Sequence, residues 1–235
     1  MAKFIPDIPD NWKALDGTML KFIACASMLT DHIAKFLLYR NNELHFNVSL
    51  ETIDTLVYFG RLAFPIFAFL LTEGYAHTHN KTKYALNLLF FGLISEVPFD
   101  LMLYGSLSFA FQNVMFTLLL GFLGIWSLDF FKDNIYLRIG SIATLAIIAY
   151  LLNVDYGTGG FAFILLMYAL RNEKALQSVI CAIVIPYSVM VFISFGLIYM
   201  YNGQRGIKSK GAKYAFYSFY PVHMLAIYLS ACLFL

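Results

Sequence analysis

The sequence predicts an all-α protein, a polytopic transmembrane helical bundle of eight or nine spans. Of its 235 residues, 60% are hydrophobic and only 13% are charged. A soluble domain carries about 25% charged residues, so this chain has too few polar side chains to cover a surface facing water. Apolar tracts long enough to cross a bilayer recur along the whole chain. We therefore expect one integral-membrane domain over residues 1–235.

The expected spans follow a polar amino-terminal segment, residues 1–17. Thr18 is a suitable N-cap for the first span, because its hydroxyl can accept a backbone N–H of the first turn. The predicted spans are 18–39, 53–77, 83–103, 112–131, 135–152 and 157–170, then a long tract 174–201, then 214–234.

The distribution of Lys and Arg among the connections indicates the orientation. Basic residues flank the second, fourth and sixth spans at one end, whereas the loops 104–108 and 153–160 carry none. These basic residues are Lys81, Lys83, Lys132, Arg138, Arg171 and Lys174. Since cytoplasmic loops carry an excess of Lys and Arg, the pattern places the amino terminus on the cytoplasmic side of the cell membrane.

The number of spans is open because the most basic loop conflicts with a count of eight. That loop carries Arg205, Lys208, Lys210 and Lys213 and would then lie outside. Pro186 lies near the middle of the tract 174–201 and can separate it into two short antiparallel helices. Nine spans would return the basic loop to the cytoplasm, although each half would be short for a bilayer. We favour nine.

A cation and an imidazole share one face of the first span. Lys21 precedes His32 by eleven residues, which turns a helix through about 1100° and leaves the two side chains some 20° apart. Along the axis they are separated by roughly 16 Å. Asp31 precedes His32 directly, but adjacent helical residues diverge by about 100°, so Asp31 is poorly placed to orient the imidazole.

Other polar residues fall at a similar predicted depth or nearer the outer face. Arg61 and Glu96 reach the level of His32, and His223 lies near the middle of the last span. The residues predicted nearer the outside are Asp100, Gln112, Asn113, Asp155 and Tyr156. A charge at a helix centre costs about 2.5–3.5 kcal/mol on insertion scales. We therefore expect these groups to be paired and to line a cavity that opens outward.

Several of these residues also have simple structural interpretations. Asp31 and Lys35 stand at i,i+4 and can neutralise each other. A single His in a span is often an interhelical hydrogen bonder, and Lys21 can be an ordinary interfacial lysine. Asp155 and Tyr156 can form a turn before a helix. Cys25, Cys181 and Cys232 lack metal-ligand spacing and imply no disulfide, and we expect no metal.

The stripe from Lys21 to His32 suits a ligand with phosphates at one end and a reactive group at the other. The phosphates would lie near Lys21 and the basic loop, where charge-assisted contacts are available. A pantetheine arm would place a thioester near His32. His32 would then remove a proton from an acceptor arriving from outside, and Arg61, Asn113 or Tyr220 would stabilise the oxyanion.

Motifs in the same order along the chain resemble the TraX family. They are Lys21 with Asp31-His32, Gly60-Arg61 with Phe64-Pro65-Ile66-Phe67 and Glu73-Gly74-Tyr75, Ser95 to Asp100, Gln112-Asn113-Val114, Asp155-Tyr156-Gly157, Tyr201-Asn202-Gly203, and Phe216 to His223. That family is named for conjugal pilin acetylation and is similar to a wider superfamily of membrane acyltransferases. In that superfamily a basic residue, ten intervening residues and a His mark the first span.

The resemblance implies an acyltransferase that uses acetyl-CoA. It implies that His32 is catalytic and that Lys21 contacts the acyl-CoA, with Lys where Arg is common. Glu73-Gly74-Tyr75 departs from the Ser-Gly-Phe of the superfamily, which leaves any role of Glu73 open. The acceptor would be a pilin amino terminus, a glycan or another amine or hydroxyl, and we expect no nucleic-acid partner.

The expected site therefore has three parts. The catalytic group is His32, Asp31, Arg61 and Glu96. The cofactor-binding group is Lys21, Arg205, Lys208, Lys213 and Tyr217. The substrate-side group is Asp100, Asn113, Asp155, Tyr156, Tyr220 and His223. Two other functions fit the same residues: a proton-coupled transporter with a relay of Asp31, His32, Glu96 and His223, and a non-catalytic membrane component of an assembly machine.

Overall fold

The computed structural model describes residues 9–40, 43–184 and 189–234. After a 3-10 turn at Asp10–Trp12, helix α1 (Gly17–Ile33) continues through a π-helical turn, Ala34–Leu38. Strands β1 (Tyr39–Arg40) and β2 (Glu43–Leu44) pair antiparallel, with Tyr39 opposite Leu44. The remaining helices are α2 (Leu50–Gly60), α3 (Ala63–His77), α4 (Lys81–Tyr104), α5 (Val114–Phe130), α6 (Ile135–Leu151), α7 (Gly157–Ala169), α8 (Lys174–Val184), α9 (Val189–Tyr199) and α10 (Lys210–Phe234).

The prediction of a helical protein with apolar spans is confirmed at this coarse level. Within the described ranges, three helical stretches are long and apolar enough to cross a membrane: Leu50–His77, Lys81–Tyr104 and Lys210–Phe234. The other apolar helices that the structure describes are shorter, with 11 to 17 residues each. The chain is therefore a helical protein with the composition of a membrane protein.

The second predicted span, 53–77, is not one continuous helix. Helix α2 ends at Gly60, a turn occupies Arg61 and Leu62, and α3 begins at Ala63. Pro65 explains the break, because a proline has no N–H to donate and its ring clashes with the carbonyl four residues earlier, that of Arg61. The predicted span therefore lies within the helical stretch Leu50–His77, and the turn inside this stretch places Arg61 between α2 and α3.

In the tract 174–201 the structure describes two helical segments, one on each side of residues 185–188. Helices α8 and α9 have 11 residues each and contact each other. Pro186, the residue on which the predicted separation into two helices depended, lies outside the described residues.

The helices divide into two compact units, which we describe separately. The first unit comprises 1–67, 98–107 and 173–235. In it, α1 packs against α2 and α10, and α8 packs against α9. Fully buried side chains on three of its helices form its interior: Leu20 and Ala24 on α1, Ile198 on α9 and Met224 on α10.

Helices α1 and α10 begin at the same end of the first unit and run in the same direction. Backbone hydrogen bonds join the segment before α1 to the loop after α9: Gly17 N–H donates to the Gln204 carbonyl at 2.8 Å, and Asn202 N–H donates to the Leu15 carbonyl at 2.9 Å. Further along both helices, His32 contacts His223. The basic loop therefore lies beside the amino-terminal end of α1.

The second unit comprises 68–97 and 108–172, and its helices α5, α6 and α7 all pack against one another. Its buried cluster contains Leu120, Ala149, Val154 and Phe161. Gly121 permits the close approach of α5 and α7, because a Cβ there would lie 2.5 Å from the Cδ1 atom of Ile164. Small residues at such a crossing let helix backbones pack closely, as in membrane helix pairs.

Candidate functional site

The amino-terminal end of α1 is fixed by capping and by the basic loop. Asp16, rather than the predicted Thr18, is the N-cap: its carboxylate accepts the N–H groups of Thr18 and Met19, both at 2.8 Å. Asp is as good a cap as Thr and stands one position before the helix begins. The Thr18 hydroxyl instead accepts from the Ile207 N–H at 2.8 Å and donates to the Arg205 carbonyl at 3.3 Å.

Lys21 lies near this capped end of α1, where it is close to charged side chains and to an aromatic ring. Its ammonium stands 5.5 Å from the ring centroid of Phe216 on α10, within the range of a cation–π contact. The charged groups within electrostatic reach of Lys21 are those of Arg205 and Asp16. The structure thus brings Lys21 and the basic loop together, as the sequence suggested.

The start of α10 adds another cation and more rings. The Lys213 ammonium lies 5.4 Å from the ring centroid of Tyr214 and 5.7 Å from that of Tyr217. Lys208 and Arg205 are exposed in the loop. Cations and aromatic faces at one end of a helix pair are a combination that suits a phosphate-bearing ligand with a planar base.

His32 contacts His223 further along the same two helices. The Nδ1 atom of His32 and the Nε2 atom of His223 are 2.8 Å apart. The rings are nearly parallel, 10° apart, with centroids separated by 5.0 Å. Faces stacked at van der Waals contact would keep ring atoms about 3.5 Å apart. The shorter nitrogen distance therefore shows two imidazoles that meet edge to edge through a hydrogen bond.

Aromatic side chains hold the pair of imidazoles in place. The Phe219 ring stacks on the His223 ring, with the ring centroids 4.7 Å apart. The Phe36 ring lies edge-on to the His32 ring, with the centroids 5.9 Å apart. Tyr220 tilts against His223 at 5.8 Å and is only 5% exposed. The structure thus brings His223, which the sequence placed in the substrate-side group, into direct contact with His32.

Asp31 pairs with Lys35 and not with His32. The Lys35 ammonium donates to Oδ2 of Asp31 at 2.7 Å, which is the i,i+4 pair that the sequence offered as a simple interpretation. The Oδ1 atom of Asp31 is buried with no hydrogen-bond partner among the residues that the structure describes. Asp31 also packs directly against Gly60 at the end of α2.

The remaining predicted residues of the first unit lie near this level or within its interior. Arg61 directly follows Gly60 and is exposed. Asp100 is buried, with 4% of its surface exposed. Since Gly60 packs against Asp31, the turn at Arg61 lies close to the His32 end of α1, as its predicted depth required.

Glu96, Asn113, Asp155 and Tyr156 belong to the second unit. The Asn113 side-chain amide donates to Glu96 and to the Gly92 carbonyl, and its oxygen caps α5 by accepting the Met115 N–H at 3.0 Å. These contacts give Asn113 a structural role in that unit. Tyr156 adopts a left-handed conformation, with φ of 65°, directly before α7, so Asp155 and Tyr156 form the turn that the sequence offered as an alternative.

The sequence did not reveal a second polar cluster, which lies in the second unit. The Asp129 carboxylate accepts hydrogen bonds from the hydroxyls of Tyr75 and Tyr168, each at 2.8 Å, and Lys81 lies 3.7 Å away. The guanidinium carbon of Arg171 lies over the Tyr168 ring, 4.0 Å from the ring centroid. The available signal was Asp129 near the end of an apolar helix, with Tyr75 and Tyr168 near the ends of two others.

Comparison with known proteins identifies relatives along most of the chain. The family model described as TraX protein matches residues 16–230. A probable fimbrial assembly protein FimC, serogroup H1, from Dichelobacter nodosus is 31% identical over 245 residues, covering 92% of this chain and 95% of the relative. No solved structure matches.

Proposed function

The chain belongs to the TraX family, and we propose that it is an integral membrane acetyltransferase acting in pilus or fimbria biogenesis. It would transfer an acetyl group from cytoplasmic acetyl-CoA to an extracytoplasmic amine or hydroxyl, such as a pilin amino terminus. The fimbrial name of its relative supports the link to pili or fimbriae. The family supports the pilin-directed role.

The main support for the proposal is the pair of parallel helices α1 and α10. Cations and aromatic rings lie where the two helices begin, and the hydrogen-bonded His32 and His223 lie further along. Lys21 and His32 are about 16 Å apart along α1. That span suits an extended thioester arm whose phosphates are held at one end and whose carbonyl is presented at the other.

Lys21, Arg205 and Lys213 would bind the phosphates of acetyl-CoA. Each carries a positive charge close to the start of the two helices, and a phosphate among them would relieve the repulsion between Lys21 and Arg205. The ring of Tyr217, beside Lys213, offers a face on which an adenine can stack.

The reaction would proceed by direct acyl transfer. His32 accepts the proton of the attacking amine or hydroxyl while the new C–N or C–O bond forms at the thioester carbonyl. The tetrahedral oxyanion then collapses, the C–S bond breaks, and the CoA thiolate takes the proton from His32. Arg61, in the turn directly after Gly60, would supply a cation that stabilises the oxyanion.

The direction of α10 relative to α1 supports an odd number of crossings, and therefore nine rather than eight. With eight crossings α10 would run opposite to α1, whereas the basic loop is bonded to the start of α1. Treating α8 and α9 as separate segments restores the common direction. Each has 11 residues, or about 16 Å, which reaches only about half of a 30 Å hydrocarbon core.

A proton-coupled transporter is the second candidate, and the hydrogen bond between His32 and His223 favours it. Linked imidazoles can pass a proton along their ring nitrogens. The cations at the start of α1 and α10 weigh against it, because a proton relay needs no phosphate-binding end.

Acetyl-CoA binding to the purified protein in nanodiscs tests the proposal. We expect Lys21→Ala to weaken binding at least tenfold, and His32→Ala to retain binding but abolish transfer of radiolabelled acetyl to the envelope fraction. Lys132→Ala and His79→Ala are matched controls, since both residues are exposed in the second unit. A folded wild-type protein that fails to bind acetyl-CoA would overturn the acetyltransferase and leave the transporter.

A further inference from the structure

We infer that His223 is a positioning residue that sets the tautomer of His32. The inference deepens the proposed function, because it names the nitrogen of His32 that acts as the base. It rests on two consecutive hydrogen bonds that link His32 to His223 and His223 to a backbone carbonyl. These two hydrogen bonds do not depend on which reaction the protein catalyses.

The first of these two hydrogen bonds is made to the backbone carbonyl of Phe219. The Nδ1 atom of His223 lies 2.7 Å from this oxygen. A carbonyl can only accept, so Nδ1 of His223 must carry a hydrogen and donate it. In a neutral imidazole one nitrogen donates and the other accepts. The Nε2 atom of His223 is therefore an acceptor with a free lone pair.

The second hydrogen bond then fixes His32. Its Nδ1 atom is 2.8 Å from the Nε2 acceptor of His223, so Nδ1 of His32 must carry the hydrogen. The Nε2 atom of His32 is left with its lone pair. His223 thus does for His32 what a buried carboxylate does for the histidine of a hydrolase triad: it holds the ring and selects the tautomer that can accept a proton.

The surroundings make His223 suited to this role. It is only 5% exposed, and Phe219 stacks on its ring, so the imidazole is held in a single plane. The same residue four positions earlier supplies both the stacking ring and the accepting carbonyl, because i and i+4 lie one above the other on a helix. The rings of His32 and His223 are nearly parallel, which suits a hydrogen bond between their ring nitrogens in the ring planes.

Nitrogen-15 NMR of histidine-labelled protein in nanodiscs tests the inference without any substrate. The chain has five histidines, and the signals of His32 and His223 are assigned by their loss in His32→Ala and His223→Ala. We expect the wild-type His32 to show a protonated Nδ1 and an unprotonated Nε2. We expect His223→Ala to shift His32 toward the tautomer protonated at Nε2. An unchanged His32 spectrum in His223→Ala would overturn the inference.

Two conservative variants separate positioning from packing. In His223→Gln the side-chain amide reaches the place of Nε2 and can accept from His32, whereas in His223→Asn it reaches only the place of Nδ1. We expect His223→Gln to preserve the His32 tautomer and His223→Asn to lose it. Equal loss in both variants, with both folded, would show that His223 acts only through packing.

Kinetics supply a second readout once acetyl transfer is measured. We expect His223→Asn to lower kcat about 10²-fold, the lower range for general-base catalysis, with the KM for acetyl-CoA unchanged. His223→Gln should recover most of that loss. If the protein transfers no acetyl group while the NMR result holds, the proposed function fails and the positioning of His32 stands.

Discussion

Replacing Gly60 with alanine tests the contact that places Asp31 and His32 against α2. A Cβ atom at position 60 would lie 2.6 Å from Oδ1 of Asp31 and closer still to the Cβ atom of that residue. Carbon atoms are in contact at about 3.5 Å, so α1 and α2 must separate by about 1 Å. The Asp31 Cβ atom cannot rotate away, because it is fixed to the backbone of α1.

This displacement should be costly for both stability and turnover. Overpacking of a close interface costs about 1–3 kcal/mol, and the hydrogen bond from the Ser27 hydroxyl to the Phe59 carbonyl, 2.7 Å long, would lengthen with it. A shift of about 1 Å at a catalytic group can lower turnover about 10²-fold. We therefore expect Gly60→Ala to lower both the unfolding midpoint and the acetyl transfer rate.

The assay is thermal unfolding in detergent, together with acetyl transfer, and Gly140→Ala is the matched control. Nothing lies within 4 Å of a Cβ atom at Gly140 in α6, so alanine there should raise helix stability by about 0.5–1 kcal/mol. Asp31→Gly removes the opposing Cβ atom and should make Gly60→Ala much less damaging. If Gly60→Ala is as stable and active as Gly140→Ala, the close contact with α2 is not required and the reasoning is refuted.

Two further predictions concern the second unit and the orientation. Tyr75→Phe and Tyr168→Phe should each lower the free energy of unfolding by about 1–2 kcal/mol, since each removes a hydrogen bond to the partly exposed Asp129 carboxylate. In an Asp129→Asn background each substitution should lower the free energy of unfolding by less. If unfolding experiments show that the effect of each Tyr→Phe substitution simply adds to that of Asp129→Asn, the shared acceptor is contradicted. In intact cells, a membrane-impermeant maleimide should label Phe234→Cys from outside and should reach Lys208→Cys only after the membrane is opened. The reverse pattern would exclude nine crossings with the amino terminus in the cytoplasm.

The sequence by itself determined the helical class and most helix positions. Apolar tracts and their polar connections are local properties of the chain, so the predicted bounds lie within a few residues of the observed helices, as for 135–152 against Ile135–Leu151. The pairing of Asp31 with Lys35 was also local, because residues four apart on a helix are neighbours. The break at Arg61 was within reach too, since Pro65 signals it.

Only the tertiary structure decided which polar groups meet. His32 and His223 are 191 positions apart, and no periodicity relates them. They meet because α10 packs along α1 in the same direction, with Phe216 beside Lys21 at one end and Phe219 stacked on His223 at the other. The sequence could show that both histidines lie within apolar helices. Long-range packing determined the partner of His32, because the hydrogen bond between the two imidazoles joins side chains on different helices.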